Sequence, residues 1–452
     1  MPTSILIDFE TRSRVDLGDT SAYKYARHPS TEVLCMSYSI DGGPVQLWKP
    51  GEPFPFYEMG ATIRAFNAAF ELAIWNYCCT RKYAWPRLTP EQIDCLQARS
   101  AYAGLPRKLA TVCDAIGLGK QGKDIDGHKI MLTLCKPQRG KKRGCEFEGG
   151  KFCDDPEKHA ANEKYCRQDA VVEGVVNRVT PPLPEMERRL WVANQAINER
   201  GTPVDISLCR NAVQMIAWEH ERLGKEIVAA TGGKISTPNQ LAKIKDFLAA
   251  EGCPLPNMQE NTLIDALADR LMPLTDNART VLRARQLVRD AAASKYQATL
   301  NYADADGYCR DSHVYYKAGP GRFAGQGVQF QNLRRLNENE IDGYVALADR
   351  ISGVSTPAEI YQELLATELG VIPTLGAMVR MIVRAHPGKK LVVSDYTAIE
   401  MRVLHWMAGD HRTLQAIYDF DKGIGEEPYK LAAATIFGKK VEDVTKANAR
   451  LV

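Results

Sequence analysis

Ile5-Leu6-Ile7-Asp8-Phe9-Glu10 opens the chain with a short apolar run that ends in two carboxylates. Residues two apart on a strand project from the same face, so Asp8 and Glu10 leave a sheet side by side. Carboxylates held together repel unless a cation stands between them, which predicts a metal site at this strand end. Taken alone, the pair reads more simply as two solvated acids. Two further segments change that balance. Asn67 and Glu71 in Phe66-Asn67-Ala68-Ala69-Phe70-Glu71 are four apart, as are Tyr165 and Asp169 in Tyr165-Cys166-Arg167-Gln168-Asp169. On a helix each pair shares one face. The ordered series of acid pair, N-x2-F-E and Y-x3-D is much harder to reach by chance than any one of its parts.

The surroundings predict an α/β layer over roughly residues 1–180. Residues 3–48 read as strands: Val33 to Ile40 is β-rich, Asp41-Gly42-Gly43-Pro44 is a turn, and Val45 to Trp48 returns. From Leu105 the period changes. Leu105, Leu109, Val112, Cys113 and Ile116 fall at helical spacing and Gly117 supplies a stop, and Tyr165 to Val179 is again helical. Thr180-Pro181-Pro182-Leu183-Pro184 breaks regular structure and marks a boundary. A helix then runs to Arg200, capped by Gly201. Residues 207–300 read as mostly helical and polar, with a helix start at Ser236-Thr237-Pro238. Beyond Tyr302 strand and helix mix.

A chain of 452 residues is too long for one core, so two to four domains are expected. With 45% apolar and 25% charged residues it has a globular composition. A net charge of +3 does not by itself predict nucleic-acid binding. The basic clusters Lys136 to Arg143 and Arg334-Arg335 read most plainly as solvated loops. The 12 cysteines lack a disulfide-framework spacing, no signal peptide precedes Ile5, and no apolar stretch reaches membrane-spanning length. A reducing cytoplasm without membrane association is expected. Cys135, Cys145, Cys153 and His159 lack the C-x2-C knuckle of structural zinc and read as unrelated thiols.

A second apolar run, Leu391-Val392-Val393, predicts a strand presenting Asp395. After it, Ile399, Val403 and Trp406 form a helical stripe of core-packing type, closed by Gly409-Asp410.

The first series resembles the proofreading 3′–5′ exonucleases with four acids and a tyrosine, a branch of the ribonuclease H-like superfamily. The resemblance implies two Mg²⁺ ions about 3.5–4 Å apart, with Mn²⁺ able to substitute. It assigns Asp8, Glu10 and Asp169 to the nucleophile-side ion. Asp8 and Glu71 go to the second ion, Tyr165 to the attacking water, and Asn67 and Phe70 to the substrate strand. The family usually has Asp where this chain has Glu71. A displacement near 1 Å can cost roughly a hundredfold in rate.

Ser394-Asp395-Tyr396-Thr397-Ala398-Ile399-Glu400-Met401-Arg402 is similar to motif A of family A DNA polymerases. By that resemblance Asp395 holds both polymerase ions, Glu400 packs under the incoming sugar, and Arg402 belongs to the substrate site. Gly321-Arg322 resembles the T-G-R signature with Pro320 in place of Thr, and its Arg reaches the primer-end minor groove. Gln331-Asn332-Leu333 resembles Q-N-[IL]-P with Arg334 in place of Pro. Asn198 to Asp205 and Thr237 to Leu241 fit the thumb. Leu336 to Arg384 exceeds the expected interval and reads as a helical insertion of phage or prophage type.

The resemblance therefore implies three parts. Residues 1–180 form an α/β ribonuclease H-like exonuclease domain, 181–300 a mostly helical thumb, and 301–452 a partial α+β palm leading to the fingers. Its partners are template-primer DNA, single-stranded DNA 3′ ends and, with a complete site, dNTP; a processivity factor is left open. Gly438 to Val452 resembles the lead-in to the fingers, with Arg450 near the first position of that helix. Neither the fingers motif nor the His-Asp-Glu hairpin follows. The expectation is a truncated or split polymerase whose own activity is exonuclease, with apolar palm surface left uncovered. An autonomous exonuclease, and a non-catalytic DNA-binding module with a decayed nuclease site, are the alternatives.

Overall fold

The apolar run at Ile5 becomes the middle strand of a sheet. β1 (Ser4–Arg12) pairs antiparallel with β2 (Glu32–Ile40), which pairs antiparallel with β3 (Gln46–Trp48). On the other edge β4 (Thr62–Ala65) runs parallel to β1 and β5 (Ile93–Cys95) parallel to β4, giving the order β3-β2-β1-β4-β5. The computed structural model describes residues 3–56, 60–119, 122, 124–269, 271–288 and 292–445. The chain divides into two compact units, 1–387 and 388–452.

Alternation along β1 divides its side chains between two cores. Ile5, Ile7 and Phe9 enter one with Trp48, Ile63, Trp75 and Trp85. Leu6 enters the other, on the opposite face, with Leu96, Val112, Val172 and Val176. Asp8 and Glu10 have the parity of Leu6, so they face the second layer. Around this sheet, among the described residues, stand the α-helices α1 (Ala22–Arg27), α2 (Ala68–Ala73), α3 (Thr80–Tyr83), α4 (Leu96–Tyr102), α5 (Leu109–Ala115), α6 (Ile125–Leu134) and α7 (Pro156–Val179). Between α6 and α7 lies a hairpin of β6 (Lys141–Arg143) and β7 (Glu146–Glu148).

The all-strand reading of residues 3–48 is corrected by α1. The Ser21 hydroxyl accepts the Lys24 N–H, and Tyr23, Tyr25 and Ala26 are buried. Burial of two tyrosines outweighs their strand preference here. The helix expected from Tyr165 begins earlier, where the Asp155 carboxylate caps Glu157 N–H at 3.0 Å and Pro156 takes the first position. Two bonds seat α7 on the sheet. Ser37 Oγ donates to the Cys166 carbonyl at 2.9 Å, and Cys166 Sγ donates to the Asp8 carbonyl at 3.4 Å.

The break at Thr180–Pro184 forms as expected, between α7 and α8 (Glu185–Arg200). The buried Arg99 fixes it by donating to the Asn177, Thr180 and Pro181 carbonyls. Gly201 ends α8 at φ 74°, where a Cβ would lie 2.8 Å from the Cys309 carbonyl oxygen. Helices follow: α9 (Ile206–Ala230), α10 (Leu241–Ala250), α11 (Glu260–Ala268), α12 (Asp276–Leu287) and α13 (Ser294–Tyr302). α9 serves two cores. Leu208, Ala212 and Met215 pack with Ile351, Leu375 and Ile382, whereas Leu223 and Ile227 pack with Leu248, Leu263 and Leu282. The helix start read at Ser236 is displaced, because Gln240 Oε1 accepts the Ser236 N–H at 2.9 Å and α10 begins only at Leu241.

The strand-and-helix mix after Tyr302 is mostly helix. Among the described residues its strands are two residues long, β9 (Tyr308–Cys309) pairing with the earlier β8 (Thr202–Pro203), and β10 (His313–Val314) with β11 (Ala324–Gly325). Leu336 to Arg384 holds α14 (Ile341–Gly353), α15 (Ala358–Leu365) and α16 (Val371–Ala377), packed into the α9 core.

In the second unit Leu391-Val392-Val393 forms no strand, and the three side chains are 52%, 82% and 90% exposed. A strand needs a hydrogen-bonded neighbour, and none lies beside this run among the described residues. α17 (Ile399–Met407), α18 (His411–Asp421) and α19 (Pro428–Phe437) follow, with Gly409 and Asp410 closing α17 as read. The Ile399, Val403 and Trp406 stripe is largely exposed rather than core. Residues 446–452, Arg450 among them, lie outside the described residues. Among the described residues no helix is long and apolar enough to cross a membrane.

Candidate metal centre

Asp8 and Glu10 come from β1 and Asp169 from α7. One carboxylate oxygen of each lies within 4.8 Å of the others. They are the group of acidic, His or Cys side chains among the described residues that stand close enough to share an ion. Among the described residues the Cys135, Cys145, Cys153 and His159 side chains do not come together in such a group.

Glu71 arrives from α2. β4 pairs with β1 only as far as Leu6, and beyond that point the Glu71 carboxylate accepts the Phe9 N–H. Its second oxygen, Oε2, is buried with no hydrogen-bond donor. Burial first, and the Asp8 charge second, push its pKa well above the ordinary carboxylate value. An oxygen left so is the expected state of a group whose partner is a cation. Asn67 does not share the Glu71 helix face as the spacing implied. It is the cap residue of α2, its side chain exposed and making no capping bond. Phe70 is half-buried, its ring 6.0 Å from that of Tyr25. Asn67 and Phe70 line a polar cavity of about 330 Å³ with Gln195 and Asp311.

Tyr165 is 1% exposed. Burial, then the Asp169 and Glu10 carboxylates, raise its hydroxyl far above the usual phenol value. Gly127 of α6 closes over the ring, where a Cβ would lie 2.6 Å from Tyr165 Cδ2.

A fifth carboxylate, Glu173, was missed in the sequence. It is 3% exposed and accepts the Phe66 N–H at 3.2 Å, at the residue following β4. Burial, then Asp8, Glu71 and Asp169, raise its pKa well above normal. The signal was present: Tyr165, Asp169 and Glu173 continue one i,i+4 ladder, and all three are buried on α7. Glu71 and Glu173 thus each hold a backbone N–H where β1 and β4 diverge.

These raised values set a pH dependence. In the metal-free fold Glu71 and Glu173 keep protons that the unfolded chain releases near pH 4.3. Stability therefore falls as pH rises above that value, and a divalent cation bound at the carboxylates would offset the loss. At a hundredfold excess over its dissociation constant Mg²⁺ should add about 2.7 kcal/mol. The melting-temperature difference between Mg²⁺ and EDTA should widen from pH 5 to pH 8. A difference that stays constant or narrows would count against the site.

The remaining candidates do not gather in this way. Asp395, Glu400 and Arg402 belong to the second unit, where Asp395 is exposed and joins no carboxylate group among the described residues. Arg402 is engaged by Asp421 through two 2.7 Å bonds, and its Nε donates to the Thr397 carbonyl at 2.7 Å. Arg322 is exposed at the Gly321 turn, whose φ of 79° and close Tyr316 ring leave no room for a Cβ. The Gln331 amide lies against Gly325, and Asn332 donates to the Gln329 side chain at 2.9 Å.

No family model matches the chain. Over 457 aligned positions it is 29% identical to the DNA polymerase of Bacillus phage SP02, covering 98% of this chain and 67% of that protein. Among solved structures it is similar to the POL domain of Pol1 from M. smegmatis, in complex with DNA primer-template and dNTP. The TM-score is 0.51 at 12% identity, covering 99% of this chain and 65% of that one. The chain spans about two thirds of the length of each. At such low identity the structural likeness shows a mixed α/β fold like that of a polymerase domain.

Proposed function

We propose that this chain is part of a family A DNA polymerase and that residues 1–180 are its 3′–5′ exonuclease domain, of the ribonuclease H-like class. Residues 181–300 are read as thumb and 301–452 as part of the palm. The observation that carries the nuclease reading is the convergence of Asp8, Glu10 and Asp169 within 4.8 Å. The strand order β3-β2-β1-β4-β5 and the near full-length likeness to a phage DNA polymerase support it.

Carboxylate oxygens in this number suit hard cations such as Mg²⁺ or Mn²⁺. Asp8, Glu10 and Asp169 would hold one ion, and Asp8 with Glu71 a second. Such ions supply an activated water and charge neutralisation at the leaving 3′ oxygen. Tyr165 stays protonated at any working pH, so it donates a hydrogen bond to orient the water and does not remove its proton. Glu173 holds the Phe66 N–H, and with it the start of the segment that carries Glu71. Asn67 and Phe70 stand at the entrance of that segment to meet the terminal nucleotide. The polymerase roles of Asp395, Glu400, Arg402, Arg322, Gln331 and Asn332 rest on the motif resemblance. Template-primer DNA and dNTP are the corresponding ligands.

The test is a 5′-labelled single-stranded oligonucleotide incubated with the chain. Mg²⁺ or Mn²⁺ should shorten it stepwise from the 3′ end and EDTA should stop the reaction. No shortening with either ion would contradict the reading. A Glu71→Asp variant should be slower by about a hundredfold, because the shorter side chain cannot keep both the Phe9 N–H and the ion. A faster variant would instead mark Glu71 as a weakened form of an aspartate site.

A further inference from the structure

The hairpin between α6 and α7 concentrates positive charge on a segment fastened just beyond the strand that carries Asp8 and Glu10. Residues 136–151 hold six cations, Lys136, Arg139, Lys141, Lys142, Arg143 and Lys151, against two anions, Glu146 and Glu148. That is a net +4 within a chain whose total is +3, so the remainder is close to neutral. The hairpin is fastened to the residues that follow β1. Ser13 N–H donates to the Cys135 carbonyl at 3.0 Å, Phe147 N–H to the Arg14 carbonyl at 2.8 Å, and Asp16 N–H to the Cys145 carbonyl at 2.7 Å. Val15 pairs with Glu146, and Arg14 Nη1 and Nη2 donate to the Gly149 and Gly150 carbonyls at 2.6 and 3.2 Å. Gly150 has φ 72°, and a Cβ there would meet the Gln138 carbonyl oxygen at 2.5 Å. The segment is a built element, not the solvated loop that its composition suggests.

Ser13 is three positions after Glu10, at most about 11 Å of chain. At the foot of the hairpin Cys135 stands near enough to Glu10 to feel its charge. Lys136 stands over the Phe147 ring, 5.9 Å from its centroid, and the other five cations divide into two groups. Lys142 is engaged by Asp16 and Asp19, and Arg143 by Glu148. Arg139, Lys141 and Lys151 are exposed and have no ion-pair partner among the described residues. A site made of carboxylates repels the phosphates of its own substrate, so cations beside it answer a physical need.

We infer that the 136–151 hairpin is a docking surface for the phosphate backbone of single-stranded DNA, holding the strand whose 3′ end enters the Asp8–Glu10–Asp169 site. Arg139, Lys141 and Lys151 make the phosphate contacts. Lys142 and Arg143 keep the hairpin in shape. This rests on the nuclease reading for the destination of the strand, and on the hairpin alone for the binding.

The test separates the two. Binding of a labelled single-stranded oligonucleotide is measured in EDTA by fluorescence anisotropy across a range of salt, with the full chain and with an Arg139→Asn, Lys141→Thr, Lys151→Gln variant. Three lost contacts at about 0.7 each should reduce the slope of log affinity against log salt by about 2. Affinity should fall by about tenfold or more. Hydrolysis of the p-nitrophenyl ester of thymidine 5′-monophosphate, too short to reach the hairpin, is measured in Mn²⁺ and should be unchanged in the variant. Equal affinity and equal slope in the two proteins would overturn the inference. So would a variant that loses ester hydrolysis along with binding, since that reports a damaged site. If the unaltered chain hydrolyses neither substrate, the nuclease reading fails while the binding comparison still decides the hairpin.

Discussion

Alanine in place of Asp8 is expected to lower DNA hydrolysis by about a thousandfold or more, an increase of about 4 kcal/mol in the barrier. Asp8 is the member of the three-acid group whose charge reaches both of the other buried carboxylates. It shares an ion-sized space with Glu10 and Asp169, and its charge raises the pKa of both Glu71 and Glu173. Loss of a single electrostatic contact to a transition state commonly costs 10²–10³ in rate, roughly. On the proposed reading Asp8 would be a ligand shared by two ions, and its loss should exceed that. The fold should survive, because the side chain removed is a source of repulsion in the metal-free protein. The variant should melt at or slightly above the temperature of the unaltered chain in EDTA, and Mg²⁺ should no longer raise it. Single-turnover hydrolysis and thermal melts measure both. A variant within a few-fold of full activity would remove Asp8 from the mechanism.

Trp75→Ala should destabilise the first unit by about 3–5 kcal/mol, the range for deleting a large buried aromatic side chain. Trp75 is fully buried in the core on the face of the sheet opposite the carboxylates. Its ring lies 4.7 Å from Trp85, 6.0 Å from Phe54 and Phe56, and 6.4 Å from Phe9. Its Nε1 donates to the Pro86 carbonyl at 2.7 Å. The residue belongs to a π-helical stretch, Ile74–Cys79, that continues directly from the helix carrying Glu71. Alanine would leave a cavity beneath that helix and a carbonyl without its donor, so nuclease activity should fall together with stability. Urea denaturation followed by tryptophan fluorescence and circular dichroism gives the midpoint shift. A loss below about 1 kcal/mol would mean that this aromatic cluster does not hold the helix in place.

Much of the site was legible in the sequence because strand and helix periodicities are short and strict. Asp8 and Glu10 share the parity of Leu6, and Tyr165 and Asp169 are one helical turn apart, so their faces followed from spacing. What spacing could not show was how neighbouring elements meet. Glu173 continues the same ladder, yet its role depends on Phe66 N–H, a group brought to it by the sheet. Glu71 likewise takes the Phe9 N–H only because β4 stops pairing at Leu6. Asn67 read as a helix residue and is instead a cap, since the helix begins one position later. α1 was hidden by two tyrosines whose strand preference is overridden by burial. Leu391-Val392-Val393 has strand composition, but composition cannot supply the adjacent backbone that a strand requires.

On the proposed reading, carboxylates from β1 and α7 share a divalent cation. Anomalous diffraction from a Mn²⁺-soaked crystal tests it most directly. A peak about 2.2 Å from oxygens of Asp8, Glu10 and Asp169 is the predicted result. Manganese bound elsewhere, with none among these three side chains in a protein that cleaves DNA, would contradict it.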